Sequence, residues 1–158
     1  MKKDAAHNSI YQTSDFILIA IFIVGALIEY GFLWHWSLPI AIWIRLMLGI
    51  IFLIIGIYFI MAGKSALDKE KQPSEPGKPT THIVQSGIYK VTRNPTYLGC
   101  CLLLLGSGVT FNFIAWMAGS FICFLLMHHF LVLPEEKYLM SKFPEAFSSY
   151  VSKVKRWL

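Results

Sequence analysis

The residues of this chain whose types could do chemistry fall in three places. Glu29 and Arg45 are charges set inside apolar runs. His128 and His129 precede the paired acids Glu135 and Glu136. The densest group reads His82, Gly87, Tyr89, Arg93, Asn94, Pro95 and Tyr97. An intramembrane charge points to an ion or proton path, or to a structural pair. Histidines beside carboxylates are potential metal ligands. An arginine beside a helix start suits an anion such as phosphate or carboxylate.

The first two places have simpler readings. Glu29 lies near the end of one apolar block and Arg45 near the start of the next. In an antiparallel hairpin both would sit roughly 7–8 Å below the outer turn, at about 1.5 Å of rise per residue. A lone charge in lipid is costly, so a structural ion pair is expected. The histidines and acids show no HExxH or ExxH spacing, and the chain holds five histidines. No metal site is expected, and helix packing accounts for the imidazoles. Cys100, Cys101 and Cys123 lie in apolar stretches without CxxC spacing and read as small hydrophobes.

The elements that must position the third group follow from composition. Of 158 residues, 56% are hydrophobic and 15% charged, against roughly 45–50% and about 25% in soluble domains. Disorder and a disulfide scaffold are thereby excluded. The apolar residues come in blocks, at 16–34, at 39–63 with Arg45 as its only charge, and at 95–134 with no Asp, Glu, Lys or Arg. A bilayer crossing takes about 20 apolar residues. The third block is too long for one helix, and Gly106, Ser107, Gly108 and Asn112 near its middle suggest a tight turn. The reading is one all-α membrane domain over 1–158. It has four transmembrane helices near 16–34, 40–63, 95–110 and 113–133, the last two a hairpin, with a 64–94 loop and a 134–158 tail. The first block begins too late and runs too long for a cleaved signal peptide, and no small-x-small site follows it. Gly49, Gly56 and Gly63 recur every seven residues, as do Gly99 and Gly106. Such stripes let backbones approach closely in lipid.

Of 14 Lys and Arg, 13 fall before the first span, in the 64–94 loop or after the last span. The positive-inside bias therefore puts both termini and that loop in the cytoplasm, in a cytoplasmic or inner membrane. The net charge of +5 reads as topology and contact with anionic lipid. The basic residues flank spans and form no separate patch, so nucleic acid is not an expected partner.

The 64–94 loop exceeds the length of an ordinary connector. Its first half looks solvated and proline-stiffened, whereas 80–99 is aromatic and leads straight into the third span. Each residue there has a structural role open to it. Asn94 and Pro95 suit an N-cap and a first helical position. Arg93 can snorkel to phosphates. Pro134, Glu135 and Glu136 suit the start of a cytoplasmic helix, with acids at the positive end of its dipole. Together they put two helix starts, two carboxylates, an arginine and two tyrosines at one membrane face. Around and after Pro144, Phe143, Phe147, Tyr150, Val151, Val154 and Trp157 recur at helical spacing with Lys153, Lys155 and Arg156 among them. This is the pattern of an amphipathic interfacial helix able to close a pocket from below.

The stretch 82–108, HIVQSGIYKVTRNPTYLGCCLLLLGSG, resembles the loop-and-helix motif of small integral-membrane methyltransferases. These are the isoprenylcysteine carboxyl methyltransferases and the phospholipid N-methyltransferases. Their pattern is His-x-Leu/Val-x-x-x-Gly-x-Tyr, then Arg-His/Asn-Pro-x-Tyr-x-Gly, a helical hairpin, Glu-Glu-x-x-Leu and an aromatic tail. Here the second element is 93–99 and the third 135–139, followed by Phe143, Tyr150, Arg156 and Trp157. The resemblance covers 82–158. Asn94 stands where the carboxyl methyltransferases commonly carry His, and Asn occurs in the phospholipid branch.

The resemblance implies S-adenosylmethionine as methyl donor, with His82, Gly87, Tyr89, Asn94, Pro95, Tyr97, Glu135 and Glu136 forming its site. Tyrosine faces and a carboxylate suit the cationic sulfonium, and a helix N-terminus suits the ligand's carboxylate. Arg93, and secondly Arg156, would orient an anionic group on the acceptor, and Glu136 would position an amine or take its proton. The acceptor would be a lipid or lipid-modified amphiphile entering from the bilayer. A non-catalytic scaffold or oligomeric transporter subunit is the alternative. A histidine-rich membrane oxidoreductase would instead require bound iron.

Overall fold

The computed structural model describes residues 14–33, 37–72 and 79–158. The expected features at Lys2, Lys3, His35 and Lys78 lie outside the described residues. Helix α1, Ser14–Ile28, ends in a π turn, Glu29–Leu33. Helix α2 is Ile42–Lys69, α3 is Pro95–Phe111, and α4 is Ile114–Met127. A second π turn, His128–Val132, carries α4 into α5, Leu133–Lys142, and α6 is Pro144–Lys153. Among the described residues the structure is all-helical.

Three helices are long and apolar enough to cross a membrane: Ser14–Phe32, Ile42–Lys69 and Ile114–Lys142. The third apolar helix, Pro95–Phe111, is shorter at 17 residues. Its rise of about 25 Å is at the low end of what a bilayer core needs. Ile23 and Leu27 on α1, Phe32 in the π turn after it, and Trp43, Ile54 and Met61 on α2, are exposed. So broad an apolar surface is stable only against lipid or another apolar partner.

The glycine stripes do bring backbones together. A Cβ on Gly56 would lie 2.9 Å from the Gly99 carbonyl, and one on Gly106 would lie 3.0 Å from the Gly49 carbonyl. Those contacts run antiparallel, and α2 and α3 share the most extensive helix interface. On the other side of α3 lies α4, and α1 packs on α4 through Gly25 against Trp116 and Ile21 against Gly119. Cys100, Cys101, Leu104, Cys123, Met127 and Leu131 form the core between these helices. The cysteines thus pack as buried thiols.

This order overturns the expected pair of Glu29 and Arg45. Helix α1 lies on α4 and α3, so it does not form a hairpin with α2. The buried Glu29 carboxylate instead accepts the Ala115 amide at 2.8 Å. It caps the second residue of α4 from a neighbouring helix, satisfying one orphan N–H and favouring the positive helix end.

The hairpin turns at Asn112, in the gap expected between the spans at 95–110 and 113–133. Gly106 and Gly108 remain helical and serve packing, whereas Asn112 adopts the left-handed conformation (φ 61°) that closes α3. Its side-chain oxygen accepts the Leu38 amide at 3.0 Å. Helix α2 also continues to Lys69, so the start of the expected loop is helical.

The expected helix start at Pro134 is corrected as well. Val132 and Leu133 keep helical dihedrals, and the helix runs through Pro134 without a break. The π turn just before it re-registers the hydrogen bonds where proline cannot donate one. Glu135 and Glu136 therefore project from a continuous helix, and α3 provides the one helix start at the site. Finally, α6 ends at Lys153, and Val154 is extended (φ −124°, ψ 130°). Val154 and Trp157 thus leave the expected helical face. Phe147 and Tyr150 turn inward and are buried.

Candidate active site

Two neighbouring acids on α5 serve two different groups. The Tyr97 hydroxyl donates to Glu135 Oε2 at 2.9 Å. Tyr97 lies in the first turn of α3 and Glu135 beyond the second π turn, so the fold-back of α3 on α4 creates the contact. Tyr89, in a 3₁₀ turn at Gly87–Lys90, belongs to the same region. Burial, then the nearby negative charge of Glu135, pushes its phenol well above the usual tyrosine range. Its backbone carbonyl accepts the Tyr150 hydroxyl at 2.7 Å, tying α6 under the turn. Burial likewise raises Tyr150, opposed by the charge of Arg93.

Glu136 is held by two arginines. Arg156 donates to it in bidentate fashion, Nε to Oε1 at 3.0 Å and one terminal nitrogen to Oε2 at 2.7 Å. The hydrogen bonds to Glu136 hold Arg156 above its already high value. Arg93, in the segment just before α3, comes within 2.9 Å of Oε1 with its side chain 9% exposed. That approach is an ion pair rather than an aligned hydrogen bond, and Arg93 Nε has no hydrogen-bond partner. Its guanidinium also lies 5.9 Å from the centre of the Phe147 ring. Two guanidiniums on one carboxylate leave a surplus positive charge, a composition that favours an incoming anion.

Asn94 and Pro95 begin α3 as expected, but the Asn94 side chain makes no capping bond. It is buried, and its amide donates to the Arg156 carbonyl at 2.9 Å. Pro95 is buried against Gly63 of α2. Gly87 has φ +56° beside Ala66, a conformation in which a side chain would be strained.

His82 joins a different cluster, at the end of α2. Gln72 donates to its Nδ1 at 2.9 Å, so the proton sits on Nε2, which donates to Glu70 at 3.0 Å. Ser86 donates to the other Glu70 oxygen. These two bonds, Ser86 first, hold the Glu70 carboxyl below the usual carboxylate range. Both ring nitrogens of His82 are thus engaged in fastening the loop. The sequence reading passed over Glu70, Gln72 and Ser86. Polar residues straight after an apolar helix, one of them the buried Gln72, were their only sequence signal. Thr92, fully buried, was also passed over; its sole mark was adjacency to Arg93. The His128 ring stacks on Phe124, lies tilted to Trp157 and meets His129 edge-on, and among the described residues no cluster has the make-up of a metal site.

Comparison with known proteins adds an independent finding. A model of the phospholipid methyltransferase family matches residues 44–146. An uncharacterized protein of Haemophilus influenzae is 40% identical over 63 residues, covering 39% of this chain and 98% of the relative. No solved structure matches the chain.

Proposed function

The chain belongs to the phospholipid methyltransferase family, and from that premise we propose an integral-membrane, S-adenosylmethionine-dependent methyltransferase. It acts on a membrane-associated amphiphile at the cytoplasmic face. The observation that carries this reading is the convergence of Tyr97 on Glu135 across the folded-back helices, with the Arg93, Glu136 and Arg156 group immediately beside it.

The residues suit the donor chemically. When bound, S-adenosylmethionine supplies an electrophilic methyl group on a sulfonium. Glu135, oriented by Tyr97, serves hydroxyl or ammonium groups of the ligand, and the phenol faces of Tyr89 and Tyr97 suit its positive charge. The start of α3 at Pro95 suits its carboxylate. His82 and Gly87 contribute by shaping the loop that carries Tyr89.

On the acceptor side, Arg93 and Arg156 orient an anionic group, phosphate or carboxylate. For an amine acceptor, Glu136 is the carboxylate in place to orient the nitrogen or take the proton it releases. The reaction then needs alignment of the acceptor and exclusion of water more than acid–base power. The apolar outer faces of α1 and α2 support a route in which the acceptor's hydrocarbon tail stays in the bilayer.

The deciding experiment is titration of the purified protein in lipid nanodiscs with S-adenosylhomocysteine. Binding heat and a raised melting temperature are expected for the wild type, and both are lost in Glu135→Ala. A wild type that gives neither overturns the assignment. Labelled donor incubated with native lipids and with prenylated peptides then identifies the acceptor.

A further inference from the structure

Residues 154–158 have left the helix, and an extended segment has no internal hydrogen bonds to hold a side chain in place. Yet Arg156 makes a well-aligned bidentate contact with Glu136. Its backbone is held from the segment 92–94. The Arg93 amide donates to the Lys155 carbonyl at 3.2 Å. Thr92 Oγ1 and the Asn94 side-chain amide both donate to the Arg156 carbonyl, at 3.2 Å and 2.9 Å. The Trp157 ring, 4.7 Å from Phe124, anchors the following residue on α4.

Asn94 is the informative member of this set. It occupies the N-cap position of α3, where an asparagine would ordinarily accept a backbone N–H, and it does not do so. Its buried amide is committed to a carbonyl 62 positions away. We infer that Asn94 is a positioning residue acting through Arg156. It fastens the segment 154–158 across the site and so sets the guanidinium that, with Arg93, receives the acceptor's anionic group. This rests on the methyltransferase reading above and moves Asn94 from the donor's side of the site to the acceptor's.

The test uses the full chain in nanodiscs with Asn94→Asp, which keeps the shape but removes the donating amide, and Asn94→His, which restores an N–H. Backbone hydrogen exchange in 154–158 is expected to rise about tenfold in Asn94→Asp, the effect of losing one buried partner, and to return toward wild type in Asn94→His. S-adenosylhomocysteine affinity is expected to stay within about threefold of wild type, since that site keeps its own contacts. Transfer of labelled methyl to host lipid extract is expected to fall alike in Asn94→Asp and Arg156→Ala, with no further loss in the double variant. Unchanged exchange in 154–158 overturns the inference. So does a loss of S-adenosylhomocysteine affinity as steep as in Glu135→Ala, because Asn94 would then hold the donor. Should Asn94→Asp not accumulate, Asn94→Ala removes the same donor without adding a charge, and unchanged exchange there is equally fatal. A wild type that fails to bind S-adenosylhomocysteine refutes the methyltransferase reading, while the exchange comparison still decides whether Asn94 fastens the segment.

Discussion

Adjacent acids with separate partners are the feature from which residue-level behaviour follows. Tyr97→Phe removes only the hydrogen bond to Glu135. It is expected to weaken S-adenosylhomocysteine binding about tenfold by calorimetry, the range for one bond to a charged group. Glu136→Ala should act mainly on stability, because it strands the nine-tenths buried guanidinium of Arg93. That loss is about 3 kcal/mol for the buried partner. Arg156, more than a third exposed, adds under about 1 kcal/mol. Thermal unfolding in nanodiscs checks the sum. At Glu70 the hydrogen bonds from Ser86 and His82 lower the folded pKa. A depressed carboxylate contributes stability above its unfolded pKa and loses it as pH falls through the folded value. Acidification below the usual carboxylate range should therefore speed hydrogen exchange in 79–90, and Glu70→Gln should remove that pH dependence. Of these residues, Tyr97, Glu135 and the arginines were legible in the sequence because charge or aromaticity at a membrane edge is conspicuous. The pairing of each acid was not, since neighbouring residues on a helix point in different directions.

Elements owe their placement to small residues and to unusual caps. On Gly99 a Cβ would come within 2.6 Å of the Gly56 carbonyl. Gly99→Ala is expected to cost about 1–3 kcal/mol by overpacking and to separate α2 from α3. Gly31, with nothing within 4 Å of an added Cβ, is the matched control, and Gly31→Ala should leave the melting temperature nearly unchanged. The seven-residue glycine repeat made the packing face readable in advance. What it could not disclose was the order of helices. Consecutive apolar helices invite a hairpin, yet α1 packs on α4 because Gly25 receives Trp116 and the Trp116 indole N–H reaches the Phe22 carbonyl at 3.0 Å. With α1 in that position, Glu29 meets the start of α4 and cannot pair with Arg45.

For the molecule as a whole, the site lies where the loop before α3, helix α5 and the segment after α6 meet, at one end of the α3 and α4 hairpin. With 13 of 14 Lys and Arg outside the apolar spans, the positive-inside rule leads us to propose that this end faces the cytoplasm. Cysteine labelling in sealed membranes checks that orientation. A cysteine introduced at Lys90 is expected to react only after the membrane is opened to its cytoplasmic side, and one at Phe111 to react from outside. The reverse pattern would overturn the proposed orientation.

Composition and periodicity alone determined that this chain is an all-α membrane protein, where its apolar helices lie and which short motifs could bind a ligand. These are local properties, set by residue type, spacing and the cost of placing charge in lipid. Tertiary structure decided which helix neighbours which, that the chain passes through Pro134 without stopping, and that Asn94 reaches across to Arg156 in place of capping its own helix. Those outcomes depend on contacts between residues remote along the chain, whose partners are selected by packing geometry that no short window of sequence contains.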